Sequence, residues 1–202
     1  MDKVSLVLLV YLRRKSMDIL ECIRSRRSVR SFTDQELTYD EIMDLIDLGM
    51  CAPTGQYRQP WGFVIIQDPE EIKRWSDIGK KDILARIDDL PAYKKYTNWF
   101  TDPDFNLFYG AKNLVIVFGD TSSPWYMEDC SCLAENMILA GFSKGIGSCW
   151  IGFGQEIFNR EDFKKEYNIP DSYVSIAPLI MGYMESKPKP PKRKDALIFS
   201  KK

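Results

Sequence analysis

Apolar residues in the first third of the chain recur every three or four positions, a spacing that predicts amphipathic helices. One such helix is predicted between residues 17 and 26. A second should begin after Thr38, because its spacing to Glu41 fits a capping box. A third should begin at Asp68, where an N-cap carboxylate precedes Pro69 at the first helical position.

Short continuous apolar runs predict buried strands further along the chain. The predicted strands are Trp61–Ile66, Leu114–Phe118, Ser148–Ile151 and Val174–Tyr183. The segment Leu133–Phe142 is apolar nearly all round, so it should be a central helix. Asn159 with Asp162 three residues later predicts one more helix start. Strands separated by helices predict a single α/β or α+β domain.

The N-terminus differs from the rest of the chain. Val4–Leu12 is an apolar run followed by three basic residues. It is shorter than the ~20 residues that a membrane span needs, and its charges follow the apolar part, unlike a signal peptide. It can be an added helix, the result of an upstream start codon with Met17 as the usual start, or a weak membrane-surface anchor. We therefore divide the chain into an extension, residues 1–16, and one domain, residues 17–202.

The stretch from Gly79 to Gly110 has a looser pattern and is rich in aromatic residues. Its aromatic side chains are Tyr93, Tyr96, Trp99, Phe100, Phe105, Phe108 and Tyr109. Two interpretations remain open: a satellite cluster under a long connection, or an aromatic lid over a planar ligand.

Composition narrows the chemistry that is available. The 202 residues carry 28 Lys and Arg against 29 Asp and Glu, so no global basic field favours nucleic acid. There is no histidine, which excludes Ser-His-Asp and Cys-His nucleophile systems and HExxH zinc sites. Redox or other chemistry near neutral pH would then come from carboxylates, thiols, lysines or a cofactor.

Five cysteines are present, an odd number without CxxC spacing. We interpret all five as reduced, buried, small apolar side chains. They are Cys22, Cys51, Cys130, Cys132 and Cys149. This interpretation predicts a cytoplasmic protein and no metal site.

Two sequence clusters could hold a ligand. Arg26–Phe32 (RRSVRSF) offers guanidinium groups and a hydroxyl that suit a phosphate or a polar ring edge, although charge runs of this kind usually mark a solvated face. Ala52–Ile66 (APTGQYRQPWGFVII) exposes backbone N–H groups before a buried strand, although it could equally be an ordinary helix-to-strand connection.

Taken together and in order, these strings resemble the nitroreductase family of FMN-dependent oxidoreductases. The resemblance continues through Leu133–Gly154 (LAENMILAGFSKGIGSCWIGFG) and Met181–Lys194 (MGYMESKPKPPKRK) and covers Met17 to about Phe199. It implies an α+β, α/β-like fold: a central mixed, mainly antiparallel sheet flanked by helices. It also implies a homodimer with shared flavin sites and no membrane span.

The resemblance also assigns cofactor contacts to this chain. Arg26, Arg27, Ser28 and Arg30 match residues that hold the FMN phosphate, the ribityl chain and the pyrimidine edge of the ring. Pro53, Thr54 and Gly55 match the segment that reaches the flavin from the partner subunit. Trp150, Ile151 and Gly152 match the strand end beside the isoalloxazine, and Lys192 and Arg193 match the late cation at the phosphate.

The resemblance implies that NADH or NADPH reduces FMN and that a nitroaromatic, quinone or similar small electrophile takes the electrons, by a ping-pong hydride transfer. The flavin carries the chemistry, with Arg30 as electrostatic stabiliser of its reduced form; an ordinary ion pair is the alternative for Arg30. Other open functions are a reductive dehalogenase-like or flavin-converting enzyme and a non-catalytic flavin-binding or storage protein. Tyr57 and Met184 depart from the family pattern and bear on substrate preference.

Overall fold

The computed structural model describes residues 17–202, and the run Val4–Leu12 lies outside the described residues. The helices are α1 Ile19–Ser25, α2 Tyr39–Gly49, α3 Pro69–Ala85, α4 Thr97–Thr101, α5 Tyr126–Ser143, α6 Gly154–Ile157 and α7 Glu161–Glu166. The strands are β1 Trp61–Ile66, β2 Asn113–Asp120, β3 Ile146–Trp150 and β4 Tyr173–Tyr183. Short 3-10 turns span Gly55–Tyr57 and Lys94–Tyr96.

The four strands form one sheet in the order β1-β2-β4-β3, and every neighbouring pair is antiparallel. Isolated bridges join Ser28 to Ser148 in parallel and Phe32 to Met184 antiparallel. The predicted fold class, a mixed and mainly antiparallel sheet flanked by helices, is confirmed.

Alternate side chains of β2 supply two cores, one on each face of the sheet. Val115 and Val117 pack with buried residues of α2 and α5. Leu114 and Ile116 pack with Trp75 of α3 in the other core. The prediction of a central helix is therefore confirmed. Helix α5 covers one face of the sheet, and α2 packs closely against α5.

Two predicted helix starts are confirmed in detail. The Thr38 hydroxyl accepts from the Glu41 N–H, and the Glu41 carboxylate accepts from the Thr38 N–H, which completes the capping box. The Asp68 carboxylate accepts from the N–H groups of Glu70 and Glu71. Each cap satisfies backbone donors that the helix itself leaves unpaired.

The predicted cap at Asn159 is wrong. Helix α7 begins one residue later, with Arg160 at the N-cap position. The Asn159 side chain instead accepts from the Ser175 N–H at 2.7 Å and donates to the Gln155 carbonyl at 2.9 Å. These bonds tie α6 to β4 and use the amide that a cap would need.

The cysteine prediction is correct for three residues and wrong for two. Cys22, Cys130 and Cys149 are buried, whereas Cys51 and Cys132 are exposed. Cys51 follows the end of α2, and Cys132 lies on the outer face of α5. No cysteine between residues 17 and 202 is in a disulfide.

Candidate functional site

The arginine-rich segment leaves α1 and runs beside the sheet. Arg26 ends α1. The Val29 N–H then donates to the Ser148 carbonyl at 2.9 Å, and the Thr33 N–H donates to the Tyr183 carbonyl at 2.9 Å. Residues 28–33 are thereby fixed next to β3 and the end of β4.

The three arginines of this segment have different partners. Arg26 Nε lies 3.6 Å from Glu135 Oε1 of α5. One Arg27 terminal nitrogen donates to the carbonyl oxygens of Arg24 and Arg26, and its Nε is buried without a hydrogen-bond partner. The Arg30 guanidinium carbon lies 5.4 Å from the centre of the Tyr109 ring.

Neither Arg27 nor Arg30 forms an ion pair with any residue from 17 to 202. The ion pair considered as an alternative for Arg30 is therefore not found in the described part of the chain. Two guanidinium groups without a carboxylate partner are available to an anionic ligand.

The Cys149 thiol on β3 is influenced by the positive charges of the arginine segment. Burial raises its pKa, while the nearby charges of Arg30 and Arg26 act to lower it. Both arginines are thus close enough to β3 to affect a group there. The structure brings the Arg26–Arg30 segment and β3 together.

The predicted residues at the end of β3 are rigidly held and partly open. The Ile151 N–H donates to the Pro178 carbonyl at 2.8 Å, and its side chain is buried. Gly152 is exposed, and a Cβ built on it would meet no atom within 4 Å. A planar ligand could approach the backbone at Gly152 without displacing a side chain.

The predicted segment Pro53–Gly55 is attached to helix α5 and not to β3. The Gly55 N–H donates to both carboxylate oxygens of Asp129 on α5, at 3.1 and 3.2 Å. Asp129 and Glu135 are separated by six residues, which is ~9 Å along an α-helix and about 240° around it. Pro53–Gly55 and Arg26 therefore contact different faces of α5 in the same chain.

The late cations Lys192 and Arg193 lie in the tail that follows β4. Lys192 and Arg193 are exposed in the irregular tail after β4 and form no hydrogen bond or ion pair within residues 17–202. Earlier in the tail, the Lys187 ammonium lies 5.1 Å from the centre of the Phe142 ring. The tail thus starts over the end of α5.

The aromatic stretch forms a packed cluster beside the end of β3. Phe153, next to Gly152, is contacted edge-on by Tyr93, Tyr96 and Phe100, with ring centres 5.1–5.3 Å apart. The satellite-cluster interpretation is confirmed for these rings. The lid interpretation stays a prediction for the exposed part, where Trp99 is 43% exposed.

A polar cleft of about 200 Å³ lies between the arginine segment and the end of the aromatic stretch. Its lining includes Arg30, Thr33, Tyr109, Lys112, Asn113 and Gly182. Arg30 therefore borders solvent-accessible space rather than the core.

Residues 23–183 match the family described as the nitroreductase family. The chain belongs to the nitroreductase family. It is 29% identical over 189 residues to a Bacillus subtilis (strain 168) protein named FMN reductase (NADPH), which covers 86% of this chain and 70% of that one. It is 24% identical over 182 residues to the iodotyrosine deiodinase of Thermotoga neapolitana, covering 86% and 93%.

A solved structure extends the family comparison to three dimensions. A Bacteroides fragilis nitroreductase with bound FMN aligns with a TM-score of 0.75 at 25% identity, over 91% of this chain and 97% of that one.

The two positions where our nitroreductase-family chain departs from the family pattern are both well defined. Tyr57 is 90% exposed at a φ of 56°, and Met184 pairs with Phe32 and contacts the backbone at Gly147.

Sequence reasoning missed three residues that fix the site of this nitroreductase-family chain. Asp129 holds Gly55, the Trp125 ring packs over Gly55, and Tyr109 contacts Arg30. Nothing near Asp129 or Trp125 in the sequence signals these contacts, because they join segments about 70 residues apart. Tyr109 could have been found only as one aromatic residue among seven.

Proposed function

We propose that this chain is an FMN-dependent oxidoreductase that uses NADH or NADPH to reduce nitroaromatic, quinone or similar electrophilic acceptors by a ping-pong mechanism. The observation that carries the proposal is that Arg27 and Arg30, which have no carboxylate partner among residues 17–202, lie in the segment that pairs with β3, the strand that leads to the open backbone at Gly152. FMN-bound and FMN-reducing relatives support it.

The residues present fit FMN. Arg27 Nε is a buried donor without a partner, and a phosphate oxygen would satisfy it. The space beside Gly152 would admit a flat ring. The residues that would hold FMN are Arg26, Arg27, Ser28, Arg30, Trp150, Ile151 and Gly152, with Lys192 and Arg193 at the phosphate.

Bound FMN would supply the hydride and electron chemistry, which explains how a chain without histidine can run a redox reaction. The work of the protein is then to bind, orient and stabilise charge. Arg30 would place a permanent positive charge where reduction adds a negative one, without any proton transfer by the protein. The buried Ile151, whose N–H donates to the Pro178 carbonyl, would hold the end of β3 in place.

We also propose a homodimer in which Pro53, Thr54 and Gly55 complete the site of the partner subunit. Their attachment to another face of α5 than Arg26 supports this division. Exposed apolar side chains also need cover: Ile19, Leu20 and Ile23 on α1 are 50–56% exposed, and Leu197, Ile198 and Phe199 in the tail are 73–92% exposed. Such apolar surface favours association with a second copy.

The direct test is NADH and NADPH consumption by the purified protein with and without menadione as the quinone acceptor. Sustained consumption that needs the acceptor, and that an Arg30→Ala variant loses largely, supports the proposal. Flavin binding without turnover would instead indicate a binding or storage protein. Halide release from an iodinated tyrosine, with no quinone reduction, would favour the activity named in the deiodinase relatives.

We propose that residues 17–202 act as one domain and that residues 1–16 are dispensable for flavin binding and turnover. The family match begins at residue 23. A chain that begins at Met17 should keep both properties, and loss of flavin or of folding would contradict this division.

We also propose a cytoplasmic location, because the spacing of the cysteines does not fit a disulfide framework. Within residues 17–202 no helix is long and apolar enough to cross a membrane.

A further inference from the structure

Helix α3 carries two buried polar side chains that no proposed step uses. Ser76 and Lys80 lie four residues apart, so they share one face of α3, and they are 0% and 6% exposed. Burying an ammonium and a hydroxyl is costly unless both are hydrogen-bonded. Their partners therefore show what this face of α3 holds.

Both side chains bind the backbone that leads to Tyr109. The Lys80 ammonium donates to the carbonyl oxygens of Asp102 at 3.0 Å and Phe105 at 2.6 Å. The Ser76 hydroxyl accepts from the Leu107 N–H at 2.8 Å. The loop that follows α4 is thus fixed to α3 at three points within six residues.

Tyr109 follows this fixed loop in a conformation that costs energy. Its φ is 55°, in the left-handed region that a tyrosine rarely adopts. Its N–H donates to the Asn106 carbonyl at 2.9 Å, and the Phe105 ring meets its ring edge-on, with centres 5.9 Å apart. The surrounding contacts thus hold the ring in one place.

The Tyr109 ring in turn contacts Arg30. The guanidinium carbon is 5.4 Å from the ring centre, within the range of a cation–π interaction. The ring is the only aromatic partner of Arg30 within residues 17–202, and Arg30 has no ion pair there. The Arg30 side chain makes no hydrogen bond to residues 17–202 either.

We propose that Tyr109 is a positioning residue that fixes the Arg30 guanidinium, and that α3 sets the place of Tyr109 through Ser76 and Lys80. The proposal rests on the proposed function, in which Arg30 stabilises the negative charge of reduced FMN. It assigns a role to the last turn of the aromatic stretch that is distinct from covering a substrate. A misplaced guanidinium would still bind but would stabilise the reduced form less.

The test is the midpoint potential of FMN bound to the full chain, measured for Tyr109→Leu and for Tyr109→Phe as the matched control. Tyr109→Leu removes the aromatic face, so we expect the preference for reduced over oxidised FMN to fall about two- to fivefold, as for an exposed cation–π contact. That is a potential about 10–20 mV more negative, at about 30 mV per tenfold for a two-electron couple. Tyr109→Phe keeps the face and should keep the potential.

A double-mutant cycle shows whether Tyr109 acts through Arg30. In the Arg30→Ala background, Tyr109→Leu should cause no further shift. A full shift in that background, or none in the wild-type background while Arg30→Ala does shift the potential, would overturn the role of Tyr109 and leave the proposed function intact. If Tyr109→Leu does not fold, Tyr109→Met tests the same contact.

Failure of the proposed function gives a different result. A protein that binds no FMN, or in which Arg30→Ala changes neither FMN affinity nor potential, would remove the role of Arg30 and with it the role of Tyr109. The same double-mutant cycle can be measured on the free energy of unfolding of the flavin-free protein. It shows whether Tyr109 and Arg30 interact even when Arg30 has no role at the flavin.

Discussion

The backbone N–H of Gly55 donates to both oxygens of the buried Asp129 carboxylate, at 3.1 and 3.2 Å. This contact joins the turn after α2 to the first half of α5. A segment proposed to complete the site of a partner subunit is therefore anchored inside its own subunit by one carboxylate.

Replacing Asp129 should loosen this turn. A hydrogen bond to a charged group contributes about 1.5–3 kcal/mol, so Asp129→Ala should lower the free energy of unfolding by roughly that amount. Asp129→Asn keeps one acceptor oxygen and should cost less. Urea unfolding at one fixed protomer concentration measures both. Equal stability of Asp129→Ala and wild type would show that the contact adds nothing.

Substituting Gly55 should be costly, and substituting Gly152 should not. A Cβ at Gly55 would lie 2.5 Å from Trp125 Cε3, so Gly55→Ala should cost about 1–3 kcal/mol through overpacking. The Cβ of Gly152→Ala would meet nothing within 4 Å, so the flavin-free variant should stay within about 0.5 kcal/mol of wild type. We expect weaker FMN binding by Gly152→Ala, measured by flavin fluorescence. Unchanged FMN affinity would place the ring elsewhere.

Glu71 makes stability depend on pH in the acid range. A hydrogen bond from Arg74 holds its pKa at about 2, below the usual 4.5, and bonds from Tyr167 (2.7 Å) and Trp75 (2.8 Å) act the same way. Because the folded pKa is the lower one, the contribution is complete above pH 4.5 and is lost as pH falls towards 2.

Glu71→Gln should therefore flatten the pH dependence of unfolding between about pH 5 and 2 and cost about 1–2 kcal/mol at pH 7, allowing for solvent screening. Asp88→Asn is the control, because its ion pair with Lys94 is exposed and should contribute little. Parallel pH profiles for Glu71→Gln and wild type would contradict the assignment.

A shared site predicts rescue by subunit mixing. Arg30→Ala and Thr54→Trp homodimers should each be inactive. A heterodimer should have one site with both changes and one with neither, so an equal mixture should hold about half heterodimer if exchange is unbiased. Recovered turnover after verified exchange supports the shared site. No rescue, or full activity in a species that sedimentation shows to be monomeric, would contradict it.

Local signals explain most of what the sequence predicted. The capping box at Thr38 and the carboxylate cap at Asp68 depend on neighbours within three residues. An apolar run such as Trp61–Ile66 predicts a buried strand whichever strand it pairs with. The predicted cap at Asn159 is wrong because a contact distant in sequence overrides the local signal. The Asn159 side chain accepts a hydrogen bond from Ser175 and is not available as a cap.

The site was only partly predictable for the same reason. The family resemblance assigned both Arg26–Arg30 and the end of β3 to the flavin, and the structure places the arginine segment against β3. The partners that fix the site come from distant segments, Asp129 for Gly55 and Tyr109 for Arg30. The exposure of Cys51 and Cys132 likewise depends on which face of the fold each residue occupies, and composition carries no such information.

The measurement that tests the central claim most directly is the absorption spectrum of the purified protein, followed by identification of any flavin released on denaturation. The account predicts a yellow protein that releases FMN and not FAD, because the arginine cluster suits one terminal phosphate. Protein stripped of flavin should take up added FMN, and Arg30→Ala should take it up more weakly. A colourless protein that also fails to bind added FMN would contradict the account.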